Sequence, residues 1–152
     1  MHETANQAMQ LCTFRVGELL LGINVLDVQE VLREQAITRV PHSHSSISGL
    51  INLRGRIATA IDLGRRLEAA TSGEASIHVV VRSGGSVASL IVDSIGEVIE
   101  VDGSTYEPPP ETMLGPARDL ILGAYKLENE LLLIPDVERV VTMPSAAVEV
   151  VA

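Results

Sequence analysis

The chain reads as an all-β protein, a barrel or sandwich of short strands joined by tight turns and a few helical turns. Hydrophobic residues make up 46% of its 152 residues and aromatics only 2%, so Val, Leu, Ile and Ala must build the core, and the many β-branched residues favour strands. Roughly nine or ten short apolar segments succeed one another, punctuated by turn signals at the spacing of an all-β fold. No strict repeat is visible, yet each half of the chain holds about five such segments, which hints at two small barrels.

Residues 1–10 are polar and read as a loose tail. Residues 11–16, the Gly17-Glu18 turn and residues 19–25 read as a hairpin. In residues 26–34 the apolar positions Leu26, Val28, Val31 and Leu32 do not alternate, so the spacing predicts a short helix with Asp27 in its first turn. Residues 36–40 read as β-like before Pro41, and 42–48 as a polar loop. Two strands, 50–53 and 56–61, flank the Arg54-Gly55 corner, and residues 62–67 read as an exit helix capped by Asp62. Residues 68–76, small and polar, form the most flexible internal linker.

The second half repeats the β rhythm. Strands over 77–82 and 87–92 flank a Ser83-Gly84-Gly85-Ser86 turn. Residues 97–101 alternate charge and aliphatic as an edge or barrel strand does. The proline-rich residues 107–116 form an extended crossing loop. Residues 120–127 and 130–134 close a last hairpin around Glu128-Asn129, residues 136–141 make a helical turn or two, and a small apolar tail follows.

The net charge of −9 is uneven: residues 1–66 carry seven Arg against six acids, whereas 67–152 carry four basic residues against fourteen acids. An acidic half repels phosphate backbones and anionic membranes, and with so few aromatics to stack on bases, nucleic acid is not an expected partner. The imbalance otherwise serves solubility. Cys12 is the single cysteine, excluding an internal disulfide, and lies in an alternating strand as a buried, inert thiol. The N-terminus lacks a secretory pattern, and no apolar run approaches the ~18–20 residues of a membrane span. The expectation is a cytoplasmic protein without membrane insertion.

Catalytic constellations are not apparent. His42 and His44 stand two apart in a Ser-rich loop without the further ligands a metal needs, and read as solvated loop residues. Asp93 and Glu97 are placed for an acid–base pair only if the strand register survives Gly96. No serine sits in a Gly-x-Ser-x-Gly frame, and Gly84-Gly85 has no downstream Lys for a phosphate. The most informative residue is Arg54. A cation at a tight corner inside the aliphatic run 47–63 points to a contact, because an unpartnered buried guanidinium is costly.

Asn52-Leu53-Arg54-Gly55, followed by Ile57 and Ile61-Asp62-Leu63, resembles the signature of the CheW-type chemotaxis coupling proteins. The likeness extends to Phe14-Arg15-Val16-Gly17, Gly22-Ile23-Asn24-Val25, Val28-Gln29-Glu30-Val31, Val92-Asp93-Ser94-Ile95 with Glu97-Val98, Leu122-Gly123, residues 131–134 and Asp136-Val137-Glu138. It covers nearly all of residues 11–141, flanked by tails 1–10 and 142–152. The resemblance implies two intertwined five-stranded SH3-like barrels on a shared hydrophobic core, with short helices. It also implies a non-catalytic scaffold, without cofactor or metal, bridging the cytoplasmic tip of a chemoreceptor to the regulatory domain of the histidine kinase CheA. Such a chain is monomeric alone and assembles into arrays with its partners. By the same resemblance the receptor's helical hairpin lies in a groove between barrels, against Val28, Glu30, Gly49, Arg54 and Gly55. For the two glycines, close approach of a partner backbone and plain turn geometry are equally good accounts.

Two positions depart from the family pattern: Ala58-Thr59-Ala60 stands where an aliphatic-Pro-aliphatic step is usual, and Leu21 where an aromatic is common. They would suit a divergent coupling protein of a non-flagellar pathway, controlling pili or second-messenger output. From a different class, a small metal-binding β-barrel enzyme would draw on His42, His44 and Asp93.

Overall fold

The computed structural model describes residues 9–69, 76–113 and 115–142, and the strands predicted from alternation and turns form there. The elements are β1 (Met9–Val16), β2 (Leu19–Asn24), a 3-10 turn (Val25–Asp27), β3 (Val28–Leu32), β4 (Ile47–Leu53), β5 (Arg56–Asp62) and α1 (Leu63–Leu67). The second half follows with β6 (Ile77–Ser83), β7 (Ser86–Val92), β8 (Ser94–Val101), β9 (Tyr106–Glu107), α2 (Pro116–Leu120), β10 (Ile121–Lys126), β11 (Leu131–Pro135) and α3 (Val137–Val141).

These strands make two sheets, ordered β8-β1-β2-β11-β10-β9 and β3-β6-β7-β5-β4. The division does not follow the halves of the chain: the second sheet is built wholly from the middle, while β1 and β2 join strands from the C-terminal half. Each sheet nevertheless contains the same arrangement. β11 runs parallel to β2 as β5 runs parallel to β7, and the edge pairs Cys12↔Val98 and Val31↔Val79 have matching register. Gly49, Arg54, Asp62 and Arg65 recur at identical spacing as Gly123, Glu128, Asp136 and Arg139. The chain is thus a duplicated unit whose two copies exchange their leading hairpins, and the two barrels are intertwined.

Three apolar clusters follow from strand alternation. The largest lies between the barrels and takes Phe14, Val16, Leu21 and Ile23 from the first hairpin and Val79, Val81, Leu90 and Val92 from β6 and β7, with Leu67, Leu120 and Val140 from the helices. The opposite strand faces line each barrel: Leu11, Val101, Tyr125 and Leu132 in one, Ile51, Leu53, Ala58, Ala60, Val80, Val87 and Ile91 in the other. Each fully buried Leu, Ile, Val or Phe contributes about 1.5–3 kcal/mol relative to exposure, so the shared core, the largest of the three, resists separation of the barrels. Leu21, in place of an aromatic, is fully buried there. Cys12 is buried too, and burial pushes its thiol pKa up, which suits an inert side chain.

Both exit helices start as the Asp signals predict. The Asp62 carboxylate accepts from the Arg65 amide at 3.1 Å, and Asp136 from the Arg139 amide at 3.2 Å. The linker 68–76 lies largely outside the described residues, as do both predicted tails apart from residues 9, 10 and 142.

Three expectations are corrected. Residues 26–34 are not a helix: one 3-10 turn ends at Asp27 and β3 begins at Val28. A register shift between Val28 and Glu30 opposite β6 breaks the period of two, and that bulge imitated helical spacing. Residues 36–40 form no full strand, only a bridge between Thr38 and Leu50. There are eleven strands among the described residues, because the short β9 forms just before the proline-rich loop.

Candidate functional site

The Arg54-Gly55 corner is a two-residue turn closing β4 onto β5, with Leu53 opposite Arg56. Both turn residues have positive φ, 54° and 89°, as the mirror-image turns that match strand twist require. The Asn52 carboxamide oxygen accepts from the Gly55 amide at 2.7 Å and holds the turn from within. A Cβ on Gly55 would meet nothing within 4 Å, so this glycine serves the turn's backbone rather than a close contact inside the chain.

Arg54 has a partner in its own chain. Its two terminal nitrogens donate to the two carboxylate oxygens of Glu30, each at 2.7 Å. β3 and β4 are the two edges of their sheet, so this fork joins the edges and closes the barrel at that end. The Thr38–Leu50 bridge closes it further along, with backbone bonds of 2.8 and 2.9 Å. The guanidinium is 73% exposed and the carboxylate 18%, which leaves the cation at the surface with the acid behind it. The Arg54 hydrogen bonds hold the Glu30 carboxyl below its usual pKa, and Glu30 raises that of Arg54, so both stay charged at neutral pH.

Gly49 is explained inside the molecule. Its φ is 148°, and a Cβ there would lie 2.3 Å from the Thr38 carbonyl oxygen and 2.6 Å from a methyl of Ile37. It is buried, and its bareness lets the 37–38 segment cross β4. Val28 is half-buried and packs on the inter-barrel core beside β6. The structure therefore brings Glu30, Arg54 and Gly55 together at one corner, sets Gly49 beneath the crossing segment, and turns Val28 partly inward.

An exposed residue that the sequence reading placed in the signature, but not among the site residues, adjoins the corner. Ile57, opposite Asn52 on the next rung, is 59% exposed. Alternation in β5 sends Ala58 and Ala60 into the barrel, which left Ile57 legible as an outward side chain. The Ala58-Thr59-Ala60 step packs smoothly: Thr59 pairs with Leu50 on one side and Ala88 on the other, making β5 a central strand.

The groups considered for metal or acid–base chemistry are dispersed. His44 Nδ1 lies 2.8 Å from Ser46 Oγ, His42 adopts positive φ in an exposed turn, and Asp93 accepts from the Gly17 amide at 2.6 Å at the first hairpin. Among the described residues no three His, Cys, Asp or Glu side chains converge. His78, read from sequence as incidental, is buried inside the second barrel with Nδ1 2.7 Å from Ser89 Oγ, and desolvation lowers its pKa. Among the described residues no helix is long and apolar enough to cross a membrane.

Comparison with known proteins agrees with this fold. A model of the CheW-like domain matches residues 10–145. The chain is 33% identical over 140 residues to the chemotaxis protein CheW of Bacillus subtilis, covering 90% of this chain and 89% of that one. It is 29% identical over 149 residues to CheW of Klebsiella aerogenes, covering 95% and 87%. The crystal structure of the scaffolding protein TtCheW from Thermoanaerobacter tengcongensis superposes with a TM-score of 0.82 at 31% identity, covering 90% of this chain and 94% of that chain. Likeness in sequence and in fold over most of its length shows the same thing: the chain belongs to the CheW-like domain family and is a chemotaxis coupling adaptor.

Proposed function

We propose that the chain works in the cytoplasm as a non-catalytic bridge between the cytoplasmic tip of a chemoreceptor and the regulatory domain of the histidine kinase CheA, with the Arg54 corner facing the receptor. The observation that carries this reading is the exposed Arg54–Glu30 fork with Ile57 beside it. A planar cation held rigid by its own acid still presents its outer edge, and a neighbouring aliphatic supplies apolar area, the combination that anchors a helix surface. Val28 and Gly49 then support the corner from behind rather than touching the partner.

Co-sedimentation with receptor fragments and the kinase tests this. Arg54→Glu removes the cation and sets two acids together, so receptor binding is lost while circular dichroism is unchanged. The exchange Glu30→Arg with Arg54→Glu keeps an ion pair across the barrel edges but moves the cation inward. The fold then matches wild type and binding stays lost, because the receptor reads a cation at the corner and not the clamp. Wild-type sedimentation of Arg54→Glu would overturn the assignment of the surface.

A further inference from the structure

At the end of β5 opposite the Arg54 corner, α1 and the loop before β4 border a basin of about 680 Å³, with Pro116 of α2 at its side. That volume is in the range of small-molecule sites. His44 and Ser45 line it from the loop, Arg65 and Arg66 from α1, and its one acid is the exposed Glu68. Two guanidinium groups beside an imidazole stand out in a chain of net charge −9.

These donors are held in place but not used up. Arg66 Nε donates to the Val140 carbonyl at 2.9 Å, and Nη2 to those of Arg139 at 2.8 Å and Thr142 at 3.0 Å. The bonds cap α3 and leave the hydrogens of Nη1 without a partner among the described residues. Every one of those acceptors is a carbonyl, so among the described residues no carboxylate meets the charge of this partly buried cation. Burial pushes its pKa down with no acid to offset the cost. The matching position in the other copy of the unit is the buried Val140, so that copy forms with an apolar residue in this place. Arg65 is loosely tied: Nε stands 3.8 Å from the Asp62 carboxylate and Nη1 3.5 Å from the Ser45 carbonyl, and the side chain is 69% exposed. His44 Nδ1 accepts from the Ser46 amide at 3.1 Å, which in the neutral ring puts the hydrogen on Nε2.

We propose that this basin binds a small phosphate-bearing anion, held by the guanidinium groups of Arg65 and Arg66 and by His44 Nε2. A tetrahedral oxyanion accepts several N–H bonds at once, and the planar guanidinium fork matches its edge. The ligand supplies the counter-charge that Arg66 lacks, and Arg65 exchanges two long contacts for short ones. Glu68, being exposed, turns to solvent as the anion enters. Ala69 and Pro116 offer an apolar wall to a carbon skeleton carried by the phosphate.

Magnetic-resonance titration of the full-length, isotope-labelled protein with inorganic phosphate and with glycerol phosphate, at constant ionic strength, tests the proposal. The expected result is a saturable shift of the His44 ring signals and of the Arg66 Nε–H, with the Arg54 Nε–H unmoved as a control of equal charge. Tighter binding of the ester assigns the basin to phosphorylated small molecules, and equal or weaker binding assigns it to free phosphate. Because Arg66 also caps α3, the variants are Arg65→Gln and His44→Ala. Each leaves circular dichroism unchanged and weakens phosphate binding about tenfold, the loss of one charge-assisted hydrogen bond. Shifts that rise without saturating, that appear equally at Arg54, or that sodium chloride reproduces overturn the proposal, and so does full affinity in Arg65→Gln.

Discussion

The β4–β5 and β10–β11 hairpins are two copies of one structural unit, and they treat their corners differently. In the first, Arg54 at the turn grips Glu30 on β3. In the second, Glu128 occupies the place of Arg54 and Glu97 on β8 the place of Glu30, so two acids stand where the first barrel has a fork. The second corner is instead held by Glu130, which accepts from both terminal nitrogens of Arg15 at 2.8 and 3.2 Å, a pair reaching across β2. The same barrel therefore closes without a cation at the turn. A fold that closes one corner without a cation at the turn does not demand one at the other, and this difference supports the proposal that Arg54 is kept for contact.

The glycines that open the two hairpins break the comparison hardest. Gly49→Ala forces a Cβ against backbone, the Thr38 carbonyl oxygen at 2.3 Å, at a φ of 148°. The urea midpoint falls by the equivalent of about 3 kcal/mol. At Gly123, the same position in the other copy, the nearest atoms belong to the Tyr106 phenol, with the Glu107 carbonyl oxygen at 2.6 Å. Gly123 has no strained φ, its ring neighbour can swing aside, and its backbone neighbour lies on a two-residue edge strand, so Gly123→Ala costs less, about 1–2 kcal/mol. Equal losses would show that the ring is as rigid as the strand.

The second barrel encloses a polar pair that the first lacks. His78 and Ser89 in the second barrel stand where Leu11 and Gly22 stand in the first, and both histidine and leucine are buried. Burial lowers the folded pKa of His78 below that of the unfolded chain. Above pH about 6.5 both states are neutral and the histidine adds no pH dependence. As pH falls through that value the unfolded chain takes up a proton that the barrel disfavours, and stability declines. His78→Leu, which copies the first barrel, removes this part of the decline. Denaturation midpoints at pH 7.5 and 5.5 report it, and a variant losing as much as wild type would place the sensitive group elsewhere.

How far the sequence exposes this design depends on the kind of signal. Hairpins with Gly-containing turns and helices with Asp caps were legible, because one or two residues decide each of them. Residues 26–34 misled because a bulge at Val28–Glu30 shifts the apolar positions by one, which looks like a change of period. The residues by themselves hid the exchange of hairpins between halves, which only the resemblance implied, since strand pairing at long range leaves no local mark. The duplication did leave one, in the matched spacing of Gly49, Asp62 and Arg65 with Gly123, Asp136 and Arg139. Arg54 was singled out as a cation at a tight corner, and Glu30 was expected beside it only through a family resemblance. That they hold each other was beyond a reading in which 26–34 was helix, since the acid could not then be set on the edge opposite β4. His78 gave no signal of burial until its strand could be laid over Leu11.

The mildest structural change provides the sharpest use of the comparison. Replacing Arg54-Gly55 by Glu-Asn writes the second corner into the first. Asn tolerates the positive φ of the turn, and the Asn52 carboxamide still accepts from the backbone amide at position 55, so the hairpin closes. The cost is the lost fork, screened by water on the side of a 73% exposed arginine, plus repulsion between two acids that the other barrel already tolerates. The urea midpoint therefore moves less than in any variant above, and added salt narrows the difference further by weakening that repulsion. A shift as large as that of Gly49→Ala would mean that the fork is part of what holds the barrel shut, and the exposed cation would then need no partner to explain it. A midpoint close to wild type leaves the arginine with no structural task large enough to account for its place at the corner.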